Sequence, residues 1–460
     1  MDGRIEGTIA RLPPDPEELR VTDFPWLLAF SFILSTISCI VIALLFKPMH
    51  KKISNYNMFL TIFSLFPKLI LPTPSPRSMK YAPVRTALYA SHIESGANLV
   101  DFHGFELPIW YSSIKEEHLA TRSAAGMFDV SHMGLFRFVG KGVSEWLTGI
   151  GTQDFTNFKT GTCGYTHFLD TDGNIIDDMI FAIRTDEEIL GVPNASMVSV
   201  MLNWFTELLP RDGSIRIFDD SEETSIIAIQ GPKSMEIVSK VLGESNNVGR
   251  FRCQDISQNK LSVGGWIQGT GYTGEPGVEI FVPNDQVNLL WRQFIEFGSE
   301  LGLVPVGLGA RDTLRLEKGY LLSGQDFHWP GLGDLEDSNL PEGFLSRDSA
   351  ETAVPFGLNM GHEFIGRERV LKSLENSDRW TAIRCVSRGP SPRPGHPVMD
   401  SRSEDARVIG YVTSGAPSPS LGGVGIAMAY LSGTVDGQQV WIRASSRRSI
   451  EAEVVRAPFL

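Results

Sequence analysis

The sequence predicts an α+β protein whose C-terminal part, residues 380–460, is a small β-barrel-like domain. Three observations predict it. Asp172-Gly173-Asn174 is a turn signal between two strand-like runs, Gly161 to Asp170 and Ile175 to Phe181, and an Asp-Gly turn so flanked marks a β-hairpin. Hairpins are then mixed with single helices, without the strict alternation of a doubly wound sheet. Finally, residues 380–457 carry short strands at regular spacing with Gly and Pro turns, the pattern of a small barrel.

A chain of 460 residues exceeds one ordinary domain, so two or three compact units are expected. Hydrophobic content of 42% and charged content of 21% exclude a disordered chain. A net charge of −13 excludes a nucleic-acid partner, since there is no basic excess to neutralise phosphates; a small anion held by a few arginines remains open. The four cysteines (Cys39, Cys163, Cys253, Cys385) form no CxxC pair, and the nine histidines show no metal spacing. Neither a metal site nor a disulfide framework is expected, and a reducing compartment fits. There is no GxGxxG and no Walker A loop, so a dinucleotide or P-loop reading has nothing to stand on.

Residues 1–78 read as an N-terminal extension. Residues 26–46 contain no charge and are long enough to span a bilayer as a helix. Lys47, Lys51 and Lys52 follow, while the preceding segment is acidic, so the positive-inside rule places the remainder in the cytoplasm, anchored to a membrane. The apolar piece 58–66 is too short to span and suits an interface, and Pro72-Thr73-Pro74-Ser75-Pro76 reads as a linker. The alternative is that Met79 is the start and residues 1–78 are not translated.

From Leu88 onward the elements follow in order. Residues 113–122 have helical character, with Glu116 and Glu117 in the first turn. Met127 to Gly134 is an alternating run that leads into Phe136-Arg137-Phe138-Val139. Taken singly, His132 within it reads as a structural hydrogen-bonder more readily than as a catalyst. After the hairpin, Ile189 to Val192 is a strand and Met197 to Leu209 an amphipathic helix. Ile215 to Phe218 and Ser225 to Ile229 are strands, and Ser234 to Leu242 is helical. In the C-terminal part the strands are Ala382–Val386, Ala406–Val412, Gly425–Leu431 and Val440–Arg443.

The second strand of the hairpin carries two adjacent carboxylates, Asp177 and Asp178. Side chains alternate along a strand, so the two point to opposite faces and at most one meets solvent cheaply. The other has to be paired or put to use. On its own the stretch also suits an edge strand with one solvated Asp and one that caps a loop.

With these blocks in hand, residues 87–460 resemble the T-protein of the glycine cleavage system, the folate-dependent aminomethyltransferase family. The resemblance is carried by Phe128-Asp129-Val130-Ser131-His132-Met133, Gly173-Asn174-Ile175-Ile176-Asp177-Asp178, Gln230-Gly231-Pro232 and Thr270-Gly271-Tyr272-Thr273-Gly274-Glu275-Pro276-Gly277-Val278-Glu279. It continues through Gly307-Leu308-Gly309-Ala310-Arg311-Asp312, Gly324-Gln325-Asp326 and Val412-Thr413-Ser414-Gly415, in the family's order. It implies a three-part fold around a central opening, with folate-binding α+β domains over 79–379 followed by the barrel-like domain. It implies tetrahydrofolate, or a related reduced pterin, as the acceptor of a one-carbon unit. The donor would be the aminomethyl-lipoyl arm of a lipoylated H-protein, with ammonia released.

The family's essential aspartate maps onto Asp178; strand alternation could not have chosen between the pair. Glu279 matches the position that grips the pterin's amino-pyrimidinone edge, which suits a carboxylate because it accepts two parallel N–H bonds. Arg311 matches the folate-contacting arginine, and Met133, Tyr165, Tyr272, Asn194 and Tyr320 match further pocket positions. Read singly, Tyr272 suits a core tyrosine, and Arg311 an ion pair with Asp312 or Glu317.

The chain also departs from the family. Gly269 stands where an Arg is usual before Thr-Gly-Tyr, Asn194-Ala195-Ser196-Met197 loses one amide, and Asn359 replaces a frequent Lys. Residues 327–350 are a polar insertion. Two alternatives share the folate pocket: a demethylase of another methylated donor, and a non-catalytic folate-binding protein of iron–sulfur assembly. The latter carries a Lys-Gly-Cys-Tyr motif, where this chain reads Lys318-Gly319-Tyr320 and lacks the cysteine.

Overall fold

A computed structural model describes residues 82–333, 335, 339–375 and 378–460. The apolar stretch 26–46 lies outside the described residues, and among the described residues no helix is long and apolar enough to cross a membrane. Tyr81–Leu460 form one compact unit.

Strands β1 (Asn98–Phe102) and β2 (Phe105–Trp110) make an antiparallel hairpin ahead of the helix Ile114–Ser123, whose N-cap Ser113 accepts from the Glu116 amide. Strand β3 (Ala125–Asp129) ends sooner than the alternating run 127–134 suggests. The Asp129 carboxylate accepts from the Ser131 amide at 2.9 Å and turns the chain out of the strand. All five residues of β3 are buried, because it lies inside its sheet with both faces covered.

β4 (Phe136–Val139), β5 (Thr162–Leu169), β6 (Ile175–Thr185), β7 (Glu188–Val192) and β8 (Arg216–Asp219) form a five-stranded sheet in the order β5-β6-β7-β4-β8. The Asp-Gly turn closes β5 on β6, with Gly173 at φ 81°. β6 is therefore an interior strand, not the edge strand its paired carboxylates also suited. The helix Val198–Leu208 covers one face, where Phe136, Phe138, Phe168, Phe181 and Phe205 are fully buried.

β9 (Thr224–Gln230), β10 (Cys253–Asp255), β11 (Trp266–Gln268), β12 (Gly277–Pro283) and β13 (Leu303–Pro305) join β3 in a six-stranded sheet, β10-β11-β12-β9-β3-β13. Helices Ser234–Leu242 and Asn284–Gly298 bury Ile237, Leu290, Trp291 and Phe294 on its outer face. On the inner side Phe128, Ala228 and Phe281 share a core with Ala182 and Leu190 of the five-stranded sheet, so the two sheets face one another.

β14 (Arg379–Cys385), β15 (Pro397–Met399), β16 (Val408–Ser418), β17 (Val424–Leu431), β18 (Gln439–Ser445) and β19 (Arg448–Val455) close into a six-stranded barrel. The barrel is tied to the helix Leu308–Lys318 by a buried ion pair. Arg315 of that helix donates to Asp326 at 2.7 Å and to the Ser414 hydroxyl of β16 at 2.9 Å. Asp326 in turn accepts from Ser414 at 2.7 Å and from the Leu322 amide at 2.9 Å. Charges that leave water must be paired and bonded throughout, and this pair is. Asp326→Ala would leave the buried guanidinium with only the more exposed Asp312, at 2.8 Å, as its carboxylate; we expect a loss of about 3 kcal/mol in urea unfolding. The double variant Arg315→Met/Asp326→Leu should recover a large part of it.

Candidate functional site

In β6 the register against β5 shifts between Phe168 and Leu169, which leaves Ile176 as the extra residue of a bulge just before the two carboxylates. Asp178 lines a cavity; Asp177 is fully buried beside it. β7 stops at Val192, and the chain it hands on places Asn194 across both carboxylates. The Asn194 side-chain amide donates to Asp177 Oδ1 and to Asp178 Oδ1, each at 2.8 Å, and its backbone amide donates to Asp177 Oδ2 at 3.1 Å. The Ser323 hydroxyl adds a bond to Asp177 at 3.1 Å. The Tyr165 hydroxyl, on β5, donates to Asp178 Oδ2 at 2.8 Å.

Burial raises the pKa of both acids. For Asp177 burial comes first and the neighbouring charge of Asp178 second, and together they push it up to about 8 against the bonds from Asn194 and Ser323. For Asp178 burial is opposed by the donors Tyr165 and Asn194. Burial thus disfavours charge on both acids, and Asp178, with a donor on each oxygen, is the one that faces the cavity.

The cavity has a volume of about 1010 Å³ and is walled by both sheets, the helix Leu308–Lys318, the loop after it and the barrel, through Trp380 and Arg456. Met133, Tyr165, Asp178, Asn194, Tyr272, Glu279, Arg311 and Tyr320 all line it, each half-buried. Glu279, on β12, accepts at Oε2 from the Thr270 hydroxyl and, at 3.4 Å, from Gln268. The rings of Tyr272 and Tyr320 stack at 5.8 Å and 17°. The Arg311 guanidinium lies 4.9 Å from the Tyr272 ring centroid, and its Nη1 is buried without a hydrogen-bond partner.

The ion pair that Arg311 suited on local grounds is not formed. Asp312 is taken by Arg315 at 2.8 Å, one helical turn on. Glu317 accepts from His118 at 2.9 Å and Arg122 at 3.0 Å. Burial lowers the pKa of Arg311, and the charge of Glu279 opposes that shift.

Of the departures, Gly269 is sterically required: a Cβ there would stand 2.0 Å from the Gly249 carbonyl. Asn359 is not among the residues that line the cavity. The insertion braces the back of the hairpin. The Ile175 amide donates to the Arg347 carbonyl at 2.8 Å, the Trp329 indole to Asp170 at 3.0 Å, and the Ser346 hydroxyl to Asn174 at 2.6 Å.

Sequence reasoning missed Arg250, Phe251, Ser323 and Trp380 as parts of the site. Nothing local signals them: Phe251 stands at φ 54°, and Trp380 is the second residue of a barrel strand, where it reads as barrel packing. His132, read as structural, also lines the cavity; its Nδ1 is buried without a partner, and burial followed by the charge of Arg311 lowers its pKa to about 3.

Comparison with known proteins bears on the family and the fold. The GCVT N-terminal domain family matches residues 88–329, and the glycine cleavage T-protein C-terminal barrel domain family matches residues 379–460. An aminomethyltransferase of Halothermothrix orenii is 36% identical over 82% of this chain and 99% of its own length. One of Prosthecochloris aestuarii is 35% identical over 82% and 99%. The crystal structure of glycine cleavage system aminomethyltransferase T from Bartonella henselae superposes with a TM-score of 0.70 and 26% identity, covering 82% of this chain and 98% of that one.

The buried pair makes stability depend on pH. A carboxyl whose folded pKa lies above its unfolded value of about 3.9 stabilises the fold fully below that value, and the contribution is lost as pH rises through the folded pKa. The window for Asp177 therefore runs from about pH 4 up to about 8. Asp177→Asn removes this titration. Whatever its absolute stability, its unfolding free energy should decline less across that window than that of the parent chain.

Proposed function

The chain belongs to the glycine cleavage T-protein family of folate-dependent aminomethyltransferases, and on that premise we propose that it moves a one-carbon unit from the aminomethyl-lipoyl arm of an H-protein to tetrahydrofolate, with release of ammonia. Tetrahydrofolate supplies the nucleophilic nitrogen that accepts the carbon. The observation that carries the reading is Asp178, an oriented carboxylate in the wall of a cavity that also holds Glu279 and an unpaired Arg311.

These residues fit a reduced folate. Arg311 has a buried N–H with no partner, so an acceptor on the ligand relieves a buried polar group. Glu279 is tied down through Oε2 and suits a pair of parallel N–H donors. Tyr272 and Tyr320 offer stacked aromatic surface to planar rings. Asp178 holds its charge where positive charge develops as ammonia leaves. Two fixed donors already orient it, so it stabilises that charge without reorganisation.

In this reading the catalytic part works in the cytoplasm. The charge-free residues 26–46, followed by Lys47, Lys51 and Lys52, support a membrane tether. The full chain should then sediment with membranes while residues 79–460 stay in the supernatant; equal distribution would remove the tether.

The function is tested with the full chain, lipoylated and aminomethyl-loaded H-protein, and tetrahydrofolate, following ammonia and methylene-tetrahydrofolate together. Stoichiometric formation of both is expected. No product from a chain that still binds tetrahydrofolate would replace the donor with a methylated compound. Asp178→Asn should bind tetrahydrofolate within a few-fold of the parent and lose about a hundredfold or more in kcat; undiminished turnover would remove the role given to this carboxylate.

A further inference from the structure

Behind Asp178 lies an uninterrupted run of polar side chains that the reaction as described does not use. His167, on β5, is the register partner of Asp178 on β6 and is 1% exposed. Its Nε2 lies 2.9 Å from the Tyr165 hydroxyl, and its Nδ1 lies 2.9 Å from the hydroxyl of Ser349, in the insertion. Tyr165 has one proton, and it goes to Asp178 Oδ2. The Tyr165 oxygen must therefore accept from His167 Nε2–H, and Nδ1 accepts from Ser349. This order fixes the tautomer. Burial lowers the His167 pKa to about 3, so the imidazole is neutral and acts as a dipole. The titratable groups that face the run are Asp177, from the same strand as Asp178, and Tyr272, across the cavity. Among the described residues no charged side chain is hydrogen-bonded to His167 itself.

We infer that His167 is a positioning residue: with Ser349 it commits the Tyr165 proton to Asp178 and so keeps that carboxylate ionised and aimed into the cavity. A hydroxyl that accepts a hydrogen bond becomes a better donor, and each bond in such a chain polarises the next. Without the imidazole N–H, the Tyr165 hydroxyl gains rotational freedom and donates less firmly. The charged form of Asp178 then loses stabilisation and its pKa rises. The inference rests on Asp178 as the working carboxylate, but its test does not depend on turnover.

The test uses the full chain with ¹³C-carboxyl aspartate; the Asp178 signal is assigned by its loss in Asp178→Asn and titrated by NMR. In His167→Leu the Asp178 titration should move up by about half to one pH unit. His167→Gln restores an N–H donor, and its titration should return toward the parent value. Ser349→Ala, a milder change that frees the tautomer, should give a smaller upward shift. In the transfer assay, His167→Leu should lower kcat about five- to tenfold near neutrality with KM for tetrahydrofolate within twofold. That loss should shrink toward high pH. An unmoved Asp178 titration in His167→Leu and Ser349→Ala would overturn the inference, as would a pH-independent loss in which His167→Gln is no better than His167→Leu. A parent chain without transfer activity whose Asp178 titration still responds in this order would instead count against the donor assigned above.

Discussion

One carboxamide lies across two neighbouring carboxylates, and the rest of the site depends on it. Two adjacent acids withdrawn from water cannot both stay ionised, so something must decide which one keeps the charge. Asn194 gives Asp177 two N–H bonds and Asp178 one, yet Asp177 is the deeper of the two and stands next to a charge that Tyr165 also supports. Depth outweighs the bonds. Burial and the neighbouring carboxylate raise the pKa of Asp177, and Asp178, held by Tyr165 and Asn194, is the one that faces the cavity. This arrangement holds only while Asn194 stays where β7 ends, so the length of a five-residue strand bears on both carboxylates.

Much of this could be read from the chain, and the part that could not has a common cause. The hairpin was legible because Asp172-Gly173 dictates a local turn, and the apolar runs beside it dictate strands. Four barrel strands were legible on the same grounds. β15 has only three residues, and β19 reads Arg-Ser-Ile-Glu-Ala-Glu-Val-Val, with charges on the solvent face that mask its buried one; both were missed. Placing Asp178 on the opposite side of the strand from Asp177 followed from alternation. That one amide serves both did not, because it depends on the end of another strand and on a bulge at Ile176. Arg311 shows the same limit. Its neighbour Asp312 looks like a partner in sequence, but helical spacing delivers Asp312 to Arg315.

The cavity is assembled from parts that the chain supplies far apart, so its precision rests on the ties between them. The Arg315–Asp326 pair holds the loop that carries Tyr320 and Ser323, and Ser323 reaches back to Asp177. Glu317, on the same helix, accepts from His118, from Arg122 and from Ser418 on β16; burial pushes its pKa up, and these donors hold it down to about 2. The insertion belongs to the same scheme. Its residues Trp329, Ser346 and Arg347 clamp the hairpin turn, and Ser349 meets His167 behind the catalytic wall. Residues 327–350 therefore bear on the geometry of Asp178 from behind the cavity wall.

The charged groups of the wall differ in what they leave undone, and that difference separates binding from chemistry. Asp178 has a donor on each oxygen before any ligand arrives. Its orientation is settled in the free protein, so its field acts on developing positive charge without further rearrangement. Arg311 is the opposite case: a buried N–H is left open, with no carboxylate among the described residues paired to the guanidinium. In the proposed function an acceptor on the ligand would satisfy that open N–H. On the proposed reading Arg311 would gain when the ligand docks, whereas Asp178 would gain only when positive charge appears on the ligand. A group satisfied in advance is suited to the reaction, and a group left wanting is suited to the grip.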